Sequence, residues 1–459
     1  MPAKVSGVPP TVVVPGAGGA AVSEGVGHAN TGNDSAVLPG PGEPRRLPRS
    51  LRPFRHREYR LLIASAAASL LADGLWLVAL VWQVIGSGGG PSDLSMVAAA
   101  TSLGLVVAVL MGGVAADRFP KRAVLLGVEA VRTAIPVVTG VLALAGGLQV
   151  WSLVAPAFLV GAAGGFYYPT WSAVVPALLP ADELLAANGI EGMLRPLAQQ
   201  AAGPALAGLL VAVFSPQIAL LGAGVAYLGA LLPLLAMCPV ARPTAESRDA
   251  AAPSVRRQLA EGFAYLFRTG WLFATLAFAM LYVLLVMGPI EVLLPFAIRD
   301  RVGAGPAALS LVLAAYGVGC AVGALLVSST HLPRRYLTVM LLCWGLGTLP
   351  MLAFGLSRLL WVMVVAGLVL GLTDAGGMVI WGTLLQRRVP AHLLGRVSSL
   401  DFFVSLALMP VSMALAGPVG ERIGIPATFV VAAVVAPVLA VVTLLAWRLP
   451  RDEIAHPLA

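Results

Sequence analysis

The sequence predicts an all-α membrane protein of about twelve transmembrane helices, arranged as two related halves. Three observations predict it. Only 11% of the 459 residues are charged and 59% are hydrophobic, whereas a soluble domain carries roughly a quarter of its residues as charges. Apolar runs of about 20 residues, the length a helix needs to cross the hydrocarbon core, recur along the chain. Landmarks of the first half also return in the second at one constant offset: Trp171, Pro180 and Glu191 against Trp381, Pro390 and Asp401.

The spans fall at roughly 61–85, 94–116, 123–146, 151–175, 189–213 and 217–238, then 271–298, 307–329, 336–356, 359–384, 397–418 and 425–447. They divide the chain into a tail (1–50), a six-helix half (51–239), a linker (240–270), a second six-helix half (271–448) and a short end (449–459). The tail is rich in Gly, Pro, Ala and Val and reads as disordered. Its TVVVPGAGGAAV stretch lacks a basic front and an adequate apolar core, so no cleaved signal is expected there. In the linker, Ser254 to Phe267 carries apolar residues at helical spacing, which predicts an amphipathic helix on the membrane surface.

Net charge is +8, but the basic residues lie between hydrophobic runs, a pattern of membrane orientation and not of nucleic-acid binding. With the N-terminus inside, the outside keeps only Arg299, Arg301, Arg358 and Arg422 of the loop cations, so both termini are expected in the cytoplasm. Cys238, Cys320 and Cys343 lie in or beside apolar spans and suggest neither a disulfide framework nor a metal site. The histidines are scattered over loops and tails. No phosphate-binding Gly-x-x-x-x-Gly-Lys loop or Gly-x-Ser-x-Gly elbow occurs, so neither an enzyme nor a resident cofactor is expected.

Charges inside spans are the first candidates for function, because an unpaired charge at that depth costs about 2.5–3.5 kcal/mol on insertion scales. Asp73 sits mid-span in the first helix with no basic residue a turn away. Glu291 lies in the seventh span, the counterpart of the first, and Asp374 lies deep in the tenth beside Gly376 and Gly377. Each is read as a proton-coupling or substrate-binding carboxylate. The pairs Glu129/Arg132 and Glu191/Arg195 share helix faces. They are read as intrahelical ion pairs or as an interhelical gate network. Trp76, Trp82, Tyr167, Tyr168, Trp171 and Tyr282 are aromatics that could line a cavity or pack the bundle.

The loop after the second span, from Gly113 through Asp117 and Arg118 to Lys121 and Arg122, resembles the signature loop of the major facilitator superfamily, with Pro120 where the general pattern has Gly. The resemblance implies that this loop engages the start of the eleventh span, with Asp401 in reach of Arg118. Gly203, Pro204 and Gly208 in the fifth span resemble the family's antiporter signature. Ala72-Asp73-Gly74 and Gln386-Arg387-Arg388-Val389-Pro390 narrow the likeness to the drug:proton antiporter branch, which includes macrolide-efflux, tetracycline-efflux and siderophore-export proteins. What it implies is a monomeric, proton-coupled exporter of amphipathic small molecules in a plasma membrane, its composition fitting a high-GC bacterial genome. A lipid flippase of the same fold and a transport-inactive membrane sensor are the alternatives.

Overall fold

The computed structural model describes residues 49–239 and 255–458. The tail, the linker segment 240–254 and the side chains of Asp117, Arg396 and residues 255–260 lie outside the described residues. Twelve helices are long and apolar enough to cross a membrane, and among the described residues no strand occurs.

The spans of the first half are α1 (Arg57–Gly86), α2 (Pro91–Arg118), α3 (Lys121–Leu144), α4 (Val154–Leu178), α5 (Ala186–Val213) and α6 (Pro216–Ala236). A linker helix, α7 (Val255–Arg268), precedes the second half. There follow α8 (Gly270–Val302), α9 (Pro306–Ser328), α10 (Tyr336–Leu356) and α11 (Leu360–Arg388). Next, α12 runs as Ala391–Ala407 and then Met409–Ile423, followed by α13 (Ile425–Ala446) and a terminal helix α14 (Leu449–Ala455). The sequence-based spans therefore hold, with the first helix starting earlier and α8 running longer than the hydropathy alone suggested. Six spans in each half bring the end of α13 back to the level at which α1 begins, here called the terminal end.

The repeat shows in side-chain chemistry. Trp171 Nε1 donates to Glu191 Oε2 at 2.8 Å, and Trp381 Nε1 donates to Asp401 Oδ2 at 3.0 Å, each pair 20 residues apart. An indole on the fourth helix of each half thus holds an acid on the fifth.

Among the described residues, the hydrogen bonds that join the two halves lie at the end opposite the termini. Ser92 donates its backbone N–H and its hydroxyl to Glu421 at 2.9 and 2.6 Å, and Gly417 N–H donates to Ser95 Oγ at 2.6 Å. Small residues allow this approach. A Cβ on Gly417 would collide with the Pro91 carbonyl oxygen, and one on Gly208 would collide with Ser310 Oγ. Towards the terminal end, a Cβ on Gly113, Gly189 or Gly382 would meet nothing within 4 Å among the described residues, as is also so of Gly86 and Gly305 at the other end. The halves are sealed at one end.

Gly417→Val is expected to break this seal, since overpacking of a close contact costs about 1–3 kcal/mol. Maleimide labelling of Ser95→Cys in purified protein is the measurement. The reaction should become several times faster when Gly417→Val is added than when Gly417 is kept.

Candidate functional site

Between the halves lies a cavity of about 400 Å³, walled by residues of α1 to α5 and of α8 to α12. Its lining is largely apolar, through residues such as Leu80, Val97 and Leu294, with some charged and polar groups among it, including Asp73, Arg132, Gln199, Gln200, Glu291 and Tyr316. A mostly apolar concavity with few fixed polar groups is what a small amphipathic molecule requires.

Asp73 is placed by a close helix crossing. A Cβ on Gly74 would collide with the Gln199 carbonyl oxygen and come 2.6 Å from Pro204 Cδ, and one on Gly203 would come 2.6 Å from the Leu71 carbonyl oxygen. The Ala72-Asp73-Gly74 stretch and the Gly203-Pro204 run are therefore two sides of one contact. Just before it, α5 widens into a π-helical stretch, Pro196–Ala202. Pro196 and Pro204 bracket this stretch, and each lacks a helical N–H. The wide turn aims Gln199 at Asp73, and its Nε2 donates to Asp73 Oδ2 at 3.2 Å.

The counter-ion of Asp73 comes from α3. Arg132 Nη1 stands 3.3 Å from Asp73 Oδ1, with Arg132 4% and Asp73 14% exposed. Tyr227 of α6 donates its hydroxyl to the same Asp73 oxygen at 2.6 Å. Arg132 also donates to Ser69 Oγ at 3.2 Å, and Ser69 donates to Glu129 Oε1 at 2.8 Å. The guanidinium lies over the rings of Tyr167 and Tyr227 at 5.4 and 5.5 Å. Of the two readings of Glu129 and Arg132, a direct intrahelical ion pair is not what the geometry gives. Arg132 turns across the bundle to Asp73, and a serine hydroxyl stands between it and Glu129. Glu129 is fully buried, and its Oε2 and Arg132 Nε have no hydrogen-bond partner. Two acids and one base thus share one buried network at the cavity wall.

Glu191 and Arg195 do form an i, i+4 pair at 3.2 Å, with Arg195 also 4.9 Å from the Tyr168 ring centroid. Glu191 at the same time accepts from Trp171, so the pair is tied to α4.

The second half treats its acids differently. Glu291 sits in a π-helical turn of α8, Pro289–Leu293, and lines the cavity. Among the described residues no hydrogen bond or ion pair engages its carboxylate. Asp374 accepts from the Tyr316 hydroxyl at 3.0 Å, with Tyr282 beside it. It stands behind Tyr316, outside the cavity lining, and among the described residues no cation pairs with it. Of the singled-out aromatics, Trp76 and Tyr168 line the cavity, while Trp82, Tyr167, Trp171 and Tyr282 do not.

The signature loop is held within the first half. Lys121 Nζ donates to the Ala173 carbonyl at 2.7 Å, and Arg122 donates to the Leu234 and Leu235 carbonyls at 2.9 and 2.8 Å. The two cations thus satisfy carbonyls near the ends of α4 and α6, which helix geometry leaves open or polarised. Arg118 is exposed, and Asp401 spends its carboxylate on Trp381 and on Ser405 at 3.4 Å. The expected Arg118–Asp401 contact is absent among the described residues.

Ser69, Gln199, Gln200, Tyr227 and Tyr316 are site residues that the sequence reading did not single out. The adjacent amides Gln199-Gln200, mid-span in an apolar helix, carried the one usable signal.

Residues 49–457 match the major facilitator family described as transmembrane secretion effectors. The chain belongs to that family. This major facilitator protein is 26% identical over 374 residues to macrolide efflux protein A of Streptococcus pyogenes, covering 79% of this chain and 89% of that one. It is 27% identical over 404 residues to the multidrug efflux pump Tap of Mycolicibacterium fortuitum, covering 86% and 97%. The fold matches the nucleoside transporter NupG with a TM-score of 0.64 at 13% identity, over 85% of this chain and 99% of that one. It also matches a bacterial homologue of the human lysosomal transporter Spinster, inward-facing and unoccupied, with a TM-score of 0.61 at 14% identity, over 88% and 98%. The family resemblance read from the sequence is borne out, and the structural likenesses carry the fold.

Arg132→Gln should leave Asp73 buried without its counter-ion and destabilise the first half by about 3–5 kcal/mol. Adding Asp73→Asn should recover much of the loss. Unfolding of the detergent-solubilised protein, compared across the two single variants and the double variant, checks both.

Proposed function

We propose that this major facilitator transporter exports amphipathic small molecules, cationic ones among them, in exchange for protons by alternating access. The observation that carries the reading is the largely apolar cavity between two halves sealed at one end, with an unpaired carboxylate, Glu291, in its wall. The relatives named for macrolide and multidrug efflux point to the same cargo class.

The distribution of basic residues supports a cytoplasmic position for both termini, so the sealed end faces outward and the cavity is loaded from inside. Asp73 serves as the proton-coupling acid. Ionised, it holds Arg132, Gln199 and Tyr227 on three other helices. Protonated, it releases Arg132, whose near alternative is Glu129 beyond Ser69. Protonation thereby shifts a charge pair within the first half, a local change that can bias a two-state packing. Glu291 meets a cationic cargo directly, and the Asp117-Arg118 loop closes on α12 when the other state forms.

Everted vesicles with an acidic interior test this. A lipophilic cation should dissipate the pH gradient in wild type and not in Asp73→Asn. Glu291→Gln should raise the half-saturating concentration of cationic compounds about tenfold and leave neutral ones unchanged. Equal proton release by wild type and Asp73→Asn would remove Asp73 from the coupling path. No response to any compound by folded protein would overturn the export reading.

A further inference from the structure

At the terminal end of the second half, remote from the central cavity, a second hollow of about 600 Å³ opens between the end of α7, the start of α8, the end of α11 and the residues after α14. Among the described residues its charged lining is mostly basic, with Arg268, Arg387 and Arg388 beside the carboxylate of Asp452. Arg388 is firmly anchored. It pairs with Asp452 at 2.5 Å and lies over the Trp271 ring at 4.6 Å, with its side chain 8% exposed. The wall behind it is firm. Glu453 is fully buried and accepts from Leu337 N, Thr338 N and Thr338 Oγ1 at 2.9, 3.1 and 2.6 Å, while the Tyr336 hydroxyl donates to the His456 carbonyl at 2.8 Å. Arg268, by contrast, is exposed at the rim.

Next to this hollow runs an aromatic ridge. Phe263 stacks on Phe267 at 6.4 Å, Phe267 meets Phe273 at 5.6 Å, and Phe273 meets Trp447 at 6.1 Å. Phe267 is 68% and Trp447 42% exposed. Gly270 joins the two features, for it lines the hollow and its Cβ position lies 4.0 Å from Trp447 Cδ1. Exposed aromatics at the ends of membrane spans lie at headgroup level, where the surrounding solvent is lipid. A basic hollow opening at that level, between spans, has the charge and position to hold an anionic headgroup.

We infer that this hollow and ridge form a binding site for an anionic phospholipid, with the headgroup phosphate held by Arg268 and the Arg387-Arg388 pair and an acyl chain laid along Phe267, Phe273 and Trp447. The site is independent of the cargo and of the coupling ion. It ties the linker helix, α8, α11 and the C-terminal segment of one half to the same lipid.

The test uses the full chain, delipidated in detergent, and phospholipids with identical brominated acyl chains under phosphoglycerol or phosphocholine headgroups. Bromine quenches a tryptophan only on contact, so Trp447 reports occupancy. The anionic lipid should quench saturably, with the saturable part lost in Trp447→Phe, and the zwitterionic lipid should require several times the concentration. Arg268→Gln, at an exposed position, should keep the lipid-free melting temperature and weaken the anionic lipid about fivefold, as loss of one basic contact near the surface implies. Equal quenching under both headgroups would overturn the proposal, as would unchanged affinity in Arg268→Gln. Displacement of the lipid by glycerol phosphate at comparable concentration would also overturn it, by making the hollow a site for free phosphate.

Discussion

A guanidinium in the middle of a membrane protein must be paired or hydrated, and Arg132 shows how much structure that one requirement organises. Its charge is met by Asp73 of α1, Ser69 accepts from the same Nη1, and its flat faces are met by Tyr167 of α4 and Tyr227 of α6. Tyr227 and Gln199 then complete the hydrogen bonds of Asp73. Five of the six spans in the first half are thereby tied to one ion pair. The tie depends on Gly74 and Gly203, because without that close crossing of α1 and α5 the Gln199 amide would not reach the carboxylate. Burying such a pair stabilises little by itself, yet losing one partner is severe. The network is thus better suited to holding a defined state than to adding stability.

The seal between the halves is of another kind. Three hydrogen bonds cross it, from Ser92 and Gly417 to Glu421 and Ser95. At about 0.5–1.5 kcal/mol net for each bond, they contribute a few kcal/mol between them. That is the size of gap over which two conformations can both be reached. The rest of the seal is backbone against small residues, which can separate and re-form without repacking large side chains. By contrast, the Trp171–Glu191 and Trp381–Asp401 bonds lie inside each half and can persist while the halves move.

The spans were legible in the sequence because bilayer thickness dictates their length and hydropathy, whatever else the residues do. The repeat was legible because Trp171, Glu191, Trp381 and Asp401 keep the same separation, and the structure gives that separation a bond. Partners across helices were not legible. Sequence spacing places Glu129 and Arg132 on one face of α3, and only the packing of α1 against α3 lets Asp73 draw the guanidinium away. The same limit hid Tyr227, Tyr316 and Ser69, each an ordinary residue of an apolar span until a neighbouring helix supplies its partner. The loop cations Lys121 and Arg122 read as part of a gate, while their hydrogen bonds here go to carbonyls of their own half.

Structural symmetry between the halves does not extend to their charges. The first half gives its central acid, Asp73, a full set of partners, so a passing cation has little to gain from it. The second half gives Asp374 a tyrosine hydroxyl and leaves Glu291 without a partner among the described residues. A carboxylate interacts most strongly with an incoming cation when nothing already compensates it, and a low-dielectric wall strengthens that attraction. On the proposed function, recognition of a positive group falls to the wall formed by α8, and any event that depends on releasing a held charge falls to α1 and α3. The two acids line one cavity, one from each half. Loading the cavity and unlocking the first half can then influence one another through the state of the seal, without direct contact between the two acids.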